Sequence, residues 1–469
     1  MSDPLPIEPA GLVDVVIVGA GVVGAAIARE LAHYDLDVQL IDAADDVGAR
    51  TSKANTAILH TGFDATPGTL ESRLVRRGYE LLGEYATSAG IALERIGALL
   101  IAWDLEQLDA LDALAAKAVK NGYEETTRIG AGELYGLEPH LGPGALGALR
   151  VPGESIICPW STTLAFATQA VRAGVTLRLE TRVEHVEARD DVVLVRTSRG
   201  DVVTRVLVNA AGLYSDVVDH TLGHDGFHVT PRRGQLLVYD KLARPLVRHI
   251  LLPVPSSLGK GVLVAPTVYG NVLLGPTAED LDDKTATEST ADGIAFLLEK
   301  GARILPALVD EEVSAVYAGL RAATEHGDYQ IEAHPDQHYV CVGGIRSTGL
   351  TASMAIAQYV AQLVGECGLD LGARHELEPV IVPMLGQAFE RPYQRADLID
   401  DDPMFGDIVC HCERVSRGEI RDAFASDLAP RGLDGLRRRT RAMNGRCQGF
   451  YCGAVVETLL DEARRTSSP

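Results

Sequence analysis

The feature that most constrains this chain lies near its start. A short apolar run, Val13-Asp-Val-Val-Ile-Val18, leads directly into Gly19-Ala-Gly21-Val-Val-Gly24. A continuous apolar run of that length suits a parallel strand buried on both faces. The first glycine permits the tight turn, the second lets backbone approach a pyrophosphate, and the third lets helix and strand pack closely. A helical stretch follows over 25–34, then a second strand over 37–41 that ends at Asp42. The helix N-terminus offers free N–H groups and a positive dipole end to phosphates. Asp42 stands where a carboxylate accepts bonds from ribose hydroxyls. The start of the chain therefore predicts a βαβ dinucleotide site, and this motif leaves NAD and FAD both open.

At 469 residues the chain exceeds the ~250–300 at which a single core stops growing, so two or three domains are expected. Helical periodicity over 69–88 and 104–121 flanks a strand at 97–103. The section 175–209 alternates short strands with charged turns and ends in Val206-Leu-Val-Asn-Ala-Ala-Gly212. Segments over 229–276, broken by Pro and Gly, have the texture of a mixed or antiparallel sheet. A helix is expected at 288–304, a strand at 339–342 and a long apolar helix at 351–365. Residues 373–402 show little periodicity and read as a linker.

Lys and Arg number 43 against 65 Asp and Glu, a formal charge of −22. That surface excludes unspecific nucleic-acid or anionic-membrane binding but permits a small anionic substrate in a locally basic cleft. No apolar run reaches the ~18 residues of a membrane span. The N-terminus lacks the basic and apolar regions of a signal peptide. A cytoplasmic protein is expected, peripheral at the inner membrane face only through a partner.

Two further segments favour FAD over NAD. Asn209-Ala-Ala210-211-Gly212 closes an apolar strand in the manner of an adenine-side contact. Gly343-Gly344-Ile345-Arg346-Ser347-Thr348-Gly349 opens the long helix, putting a second helix N-terminus beside a flavin, where a positive dipole stabilises the anionic reduced ring. With the N-terminal βαβ unit, these segments resemble the D-amino-acid-oxidase-like flavoproteins over about residues 13–370. Within them the likeness is closest to FAD-dependent glycerol-3-phosphate dehydrogenases and oxidases. It is carried by the run from Thr51 to Asp64 that contains Ser52 and His60, by Gly259-Lys-Gly-Val262 with Leu274-Gly-Pro-Thr277, and by Ala318-Gly-Leu-Arg321. L-2-Hydroxyglutarate dehydrogenases share parts of these signatures.

The resemblance implies an α/β fold of two-domain glutathione-reductase/D-amino-acid-oxidase-like architecture, a Rossmann-like FAD-binding domain with a β-rich substrate domain. FAD-binding segments are expected at about 13–90, 150–225 and 335–370, and substrate-domain segments at about 91–149 and 226–334. The cofactor contacts it implies are Gly19, Gly21, Gly24, Asp42, Ser52, Asn209, Ala210, Gly212, Gly344, Arg346, Ser347, Gly349, Leu350 and Thr351. Oxidising a secondary alcohol requires a base for the hydroxyl proton while the flavin takes hydride. A dianionic phosphate needs Arg or Lys donors. The resemblance points to His60 as base or orienting donor, with Lys260 and Arg321 as substrate-binding cations. Without it, His60 reads as an ordinary core or surface histidine, Lys260 as a turn lysine and Arg321 as half of an ion pair. Arg232 and Arg233 face either the cleft or a solvated edge.

Seven cysteines are present, and four crowd the C-terminus: Cys410-His-Cys412 and Cys447-Gln-Gly-Phe-Tyr-Cys452. Cys158, Cys341 and Cys367 lie in apolar surroundings and read as core. Four thiolates suit Zn²⁺ or an iron–sulfur cluster, and one intervening residue in the first pair is unusual for zinc. The stretches Val409–Val415 and Leu436–Gly453 resemble the bacterioferritin-associated-ferredoxin-like [2Fe–2S] domain. The implied organisation is an oxidoreductase over 1–375, a linker at 376–404 and a small helical Cys₄ domain at 405–469. His411 stays outside the ligand set. The run Arg437–Arg441 either offsets thiolate charge, docks an acidic redox partner or forms a solvated helix face. The function implied is oxidation of sn-glycerol 3-phosphate, with electrons leaving through the cluster to a quinone or an acceptor protein, with room for further subunits. A 2-hydroxy-acid dehydrogenase, an amine-oxidising flavoenzyme and a non-catalytic electron-transfer subunit are the alternatives.

Overall fold

The computed structural model describes residues 11–255 and 261–467. The first strand, Val13–Val18, pairs in parallel with Val38–Ile41 on one side and Val202–Asn209 on the other. Thr176–Arg178 and Tyr339–Gly343 extend this parallel set at its two sides. Antiparallel additions, Val183–Arg189, Val192–Thr197 and Gln330–His334, bring the sheet to eight strands. Val15, Val16 and Ile17 are all fully buried, so the sheet is covered on both faces, as the unbroken apolar run requires.

The helix Val22–Leu31 lies between Pro159–Arg172 and Gly349–Glu366, and Gly349–Glu366 also packs on Leu70–Ser88. That last approach is close: a Cβ on Gly78 would stand 2.2 Å from the carbonyl of Thr351. Two helices start a few residues from where the periodicity placed them. Thr290 accepts the Gly293 N–H and starts Ala291–Ile304, and Gly349 opens the helix expected from 351.

A second, nine-stranded sheet is built from 98–151 and 230–323. Its spine is the antiparallel pair Thr230–Tyr239 and Val313–Ala323, in register from Thr230 opposite Ala323. Strand Gln330–His334, expected with this half, pairs instead with Tyr339–Gly343 in the first sheet. A small sheet joins Ile58–Leu59, Ser155–Ile157 and Leu93–Glu94.

The aperiodic stretch after residue 370 is strapped to the first domain. Val380, Val382 and Leu385 are buried, and the N–H groups of Val382 and Gln387 donate to the carbonyls of Ala89 and Val268. It shows no period because it lends single apolar side chains to a core built by other elements. Beyond it, the hairpin Ile408–Cys410/Val415–Ser416 and helices Arg417–Ala425, Leu433–Thr440 and Gly453–Ser467 form the C-terminal module. No helix among the described residues is long and apolar enough to cross a membrane.

Candidate active site and cysteine centre

The glycine turn has the geometry its spacing predicted. A Cβ on Gly24 would stand 1.8 Å from the Gly19 carbonyl oxygen, and one on Gly19 (φ +104°) would stand 2.4 Å from that of Ala210. Gly21 differs: a Cβ there would meet Ser52 Oγ alone, at 3.1 Å, so this side of the turn is open. Ser52 Oγ accepts the Val22 N–H at 2.9 Å. Asp42 accepts the N–H groups of Ala20 (2.6 Å) and Ala44 (2.7 Å) and is half-buried. Burial pushes its carboxyl up, against the pull of those amides. A cradle that side chains would fill, a helix N-terminus and a carboxylate one strand away fit a dinucleotide.

Asn209 is fully buried, and its amide donates to the Ser215 carbonyl and the Tyr339 hydroxyl, both at 2.8 Å. It shapes the turn: the Ala210 N–H donates to the Val18 carbonyl at 2.9 Å and the Ala210 carbonyl packs against Gly19, while the space beside Gly212 is open. At the other helix start, Gly344 takes φ +66°, Ser347 is exposed, and Gly349 and Leu350 are half-buried. Thr348 does not cap its helix; its hydroxyl donates to Glu71 (2.7 Å) and receives that of Tyr329 (2.5 Å). Arg346 binds the same Glu71 at 3.1 Å and the Gly327 carbonyl at 2.8 Å. Burial pushes the Tyr329 phenol far above its ordinary range. Glu71 carried no signal in the sequence, where it reads as one of many acids on an amphipathic helix.

His60 is placed by sheet register. Leu59 pairs with Ser155, so the next residue, His60, meets Glu154. Glu154 Oε2 lies 2.9 Å from His60 Nδ1, and its Oε1 accepts the N–H and hydroxyl of Thr61 at 2.7 and 2.9 Å. Every group on this carboxylate is a donor, so Nδ1 carries a proton, and in the neutral ring Nε2 then holds the lone pair. The His60 backbone N–H donates to Thr351 Oγ1 at 3.0 Å. The His60 side chain is 19 % exposed and that of Glu154 fully enclosed. Glu154 is the functional residue that sequence reasoning missed, and its only signal was a lone acid inside the apolar stretch 151–157.

Arg321 sits on Val313–Ala323, which lies along the loop leading to His60: Thr51 Oγ1 donates to the Leu320 carbonyl and Tyr317 Oη to that of Asn55. Its Nη2 donates to the Thr277 carbonyl at 3.0 Å, and among the described residues no carboxylate pairs with it. Burial lowers its pKa, and the neighbouring Arg232 lowers it further. Gly234 makes room, since a Cβ there would stand 2.4 Å from Arg321 Nη2. Arg232 is bound to Asp280 through two hydrogen bonds, and Arg233 is buried between Glu279 and Glu288. Neither is free for a ligand. Lys260 lies outside the described residues.

The four cysteines of the C-terminal module are brought together in two pairs, Cys412 with Cys447 and Cys410 with Cys452. Each pair takes one residue from each motif. Among the described residues, no three of these sulfurs lie within 4.8 Å of one another. Two separated pairs suit a two-iron cluster better than a single tetrahedral ion, whose four ligands would be mutual neighbours. Amides of Tyr451, Gly449 and Phe450 hydrogen-bond to Cys447 and draw its thiol down. Cys410 and Cys452 are buried, and His411 is exposed.

The basic run is not a solvated face. Arg438 and Arg439 are buried and both bind Asp46 of the FAD-binding half, at 2.6 and 2.7 Å. Arg441, also buried, binds Glu413 at 2.8 Å. Of the run, Arg437 is half-exposed and its guanidinium meets Asn444 and Gln448. Charges that read as surface in one dimension are spent on the seam between domains, so they are not free to dock a partner.

The sequence matches the family described as FAD dependent oxidoreductase over residues 14–363, and a BFD-like [2Fe-2S] binding domain over 408–462. It is 37% identical over 453 residues to a glycerol 3-phosphate dehydrogenase of Caloramator mitchellensis, spanning 96% of this chain and 94% of that one. A glycerol 3-phosphate oxidase of Mycoplasma pneumoniae is 32% identical, over 75% of this chain and 94% of its own. The FAD-bound structure of L-alpha-glycerophosphate oxidase from that organism superposes with a TM-score of 0.73 at 30% identity, covering 79% of this chain and 96% of that one. FAD and a [2Fe–2S] cluster are the cofactors of this chain.

Proposed function

We propose, from the premise that this chain belongs to the FAD dependent oxidoreductase family, that it oxidises sn-glycerol 3-phosphate to dihydroxyacetone phosphate. In this reading the electrons leave through the [2Fe–2S] module to a quinone or an acceptor protein. FAD, when bound, supplies the hydride acceptor. The observation that carries the substrate class is Arg321: a half-buried cation with no direct carboxylate partner among the described residues, beside the loop that holds His60. A half-buried charge without a direct ion pair is costly in an empty protein and favourable against an anionic substrate.

The division of labour follows from the side chains. Arg321 binds the anionic end and sets the substrate's orientation, and Lys260 is the second proposed cation. Glu154 holds the His60 ring with Nδ1 protonated, so Nε2 accepts the hydroxyl proton at the carbon being oxidised. The positive charge that then develops on the imidazole lies 2.9 Å from the Glu154 carboxylate, which stabilises it. The same Arg and His would suit an L-2-hydroxy acid, whose carboxylate also pairs with Arg321.

Anaerobic titration of the flavin absorbance separates these substrates. Glycerol 3-phosphate is expected to bleach it and L-2-hydroxyglutarate to leave it unchanged. The reverse pattern would overturn the substrate and keep the site. Bleaching by neither would overturn the dehydrogenase reading.

A further inference from the structure

We infer that Arg441 is a positioning residue of the electron exit: a permanent positive charge enclosed against Glu413, the neighbour of Cys412, that favours the reduced state of the cysteine centre. The inference rests on the reading of this chain as a dehydrogenase whose electrons leave through the cluster. Arg441 ends the helix Leu433–Thr440 in the left-handed region, at φ 70°, and is 4 % exposed. Its Nε donates to Glu413 Oε2 at 2.8 Å and its Nη2 to Asn271 Oδ1 at 3.2 Å. The guanidinium lies 4.0 Å from the centre of the Tyr269 ring and 5.7 Å from that of Trp160.

The charges around Glu413 do not cancel. Glu413, next to the ligand Cys412, is shared between Arg441 and Lys241, whose Nζ lies 3.0 Å away. Two cations therefore face one carboxylate. The next cation outward, Arg446, meets two acids, Asp240 and Glu312, at the rim. Asp46 is held by Arg438 and Arg439, and Arg438 also binds Asp434. At Glu413 one cation is therefore left unmatched, in a setting where water screens it little. Adding an electron to four thiolates and two irons makes that set more negative, so a fixed cation nearby raises the tendency to take it.

The same residue closes the seam toward the flavin. Trp160 stacks on Tyr269 with ring centres 5.1 Å apart, and its indole N–H donates to the Lys53 carbonyl at 3.1 Å. Lys53 follows Ser52, which holds the glycine turn. Arg441 thus touches the cluster side through Glu413 and the flavin side through the aromatic pair.

The test is a potentiometric titration of the holoenzyme read by electron paramagnetic resonance of the cluster, with iron content measured on each sample. In Arg441→Gln the ratio of reduced to oxidised cluster at a fixed potential should fall about tenfold, equivalent to about 59 mV for one electron. Glu413→Gln should raise it, and Arg441→Lys should stay near the unaltered protein. A residue that only packs would give no shift, or the same direction in Arg441→Gln and Glu413→Gln, and either result overturns the inference. If the module variants lose iron, Lys241→Met in the other domain takes their place; a ratio that does not fall overturns it equally. An unaltered protein whose cluster stays oxidised while glycerol 3-phosphate reduces the flavin overturns the underlying reading and this inference with it. Full flavin and cluster reduction with no opposite shifts overturns the inference alone.

Discussion

The two cofactor regions of this protein are held together by different forces. Around the glycine turn, the strands Val13–Val18, Val38–Ile41 and Val202–Asn209 supply a continuous apolar core that covers both faces of a sheet. The C-terminal module has a core of nine buried residues, and two of these are the proposed ligands Cys410 and Cys452. Its backbone is also less relaxed. Eight non-glycine residues among those described have positive φ, and four of them, Arg414, Arg441, Met443 and Gln448, lie in the cysteine module. What it lacks in apolar burial it offsets with ligands and with ion pairs to the larger body, at Asp46, Asp240, Lys241, Lys53 and Glu180. Buried ion pairs add little net stability but specify one docking geometry strongly. The first region is therefore shaped before its cofactor arrives, while the second owes its order to its ligands and its neighbour.

The largest effect should come from striking the first region at its tightest point. Gly24→Val puts side-chain carbon where the Gly19 carbonyl stands, 1.8 Å from an ideal Cβ. We expect complete loss of bound flavin, measured by absorbance, with iron content retained; loss of both would erase the distinction between regions. His60→Ala should slow flavin reduction by about 10²–10⁴-fold in stopped-flow measurements. Glu154→Gln should slow it less, since it spoils the orientation of the imidazole without removing it. Equal rates for Glu154→Gln and the unaltered protein would refute its assigned role.

At the seam, Asp46→Ala leaves the buried Arg439 without its carboxylate and Arg438 with Asp434 alone, a loss of about 3–5 kcal/mol. Denaturant unfolding should then split into two transitions, the module opening first. The pH dependence has a definite sign. Burial pushes Asp46 up, but Arg439 and Arg438 together hold its carboxyl below the ordinary range; Arg441 and Lys241 do the same for the buried Glu413. A carboxylate whose folded pKa is lowered contributes fully above its unfolded value, about 4, and loses that contribution as pH falls through the folded one. Docking should be insensitive to pH from 8 down to about 5 and weaken below about 4, which limited proteolysis across that range would reveal. The smallest effect belongs to the exposed pair of Lys53 with Asp434, 2.8 Å apart. Lys53→Ala should cost about 0.2–1 kcal/mol and vanish in high salt.

Much of the fold was legible because its signals are local. A strand, three glycines, a helix and an acid follow one another without interruption, and each glycine's duty is decided by residues a few positions away. Two short cysteine motifs likewise declare a thiolate centre by composition and spacing alone. Helices such as Leu70–Ser88 and Leu105–Lys120 showed their period because each buries one continuous stripe.

What only the tertiary structure decided are the partners of charges. Glu154 meets His60 across 94 residues, Thr348 meets Glu71 across 277, and Arg438 meets Asp46 across 392. Residue type says that each must be paired, hydrated or bound to a ligand, but names no partner, because electrostatics acts through space and chain separation is irrelevant to it. The same sequence logic that made Arg437–Arg441 a plausible solvated face has no means of knowing that another domain covers it. Local order of backbone and motif was thus written in the sequence; the pairing of buried charges, and with it the geometry of His60 and the wall behind the cysteines, was set by packing.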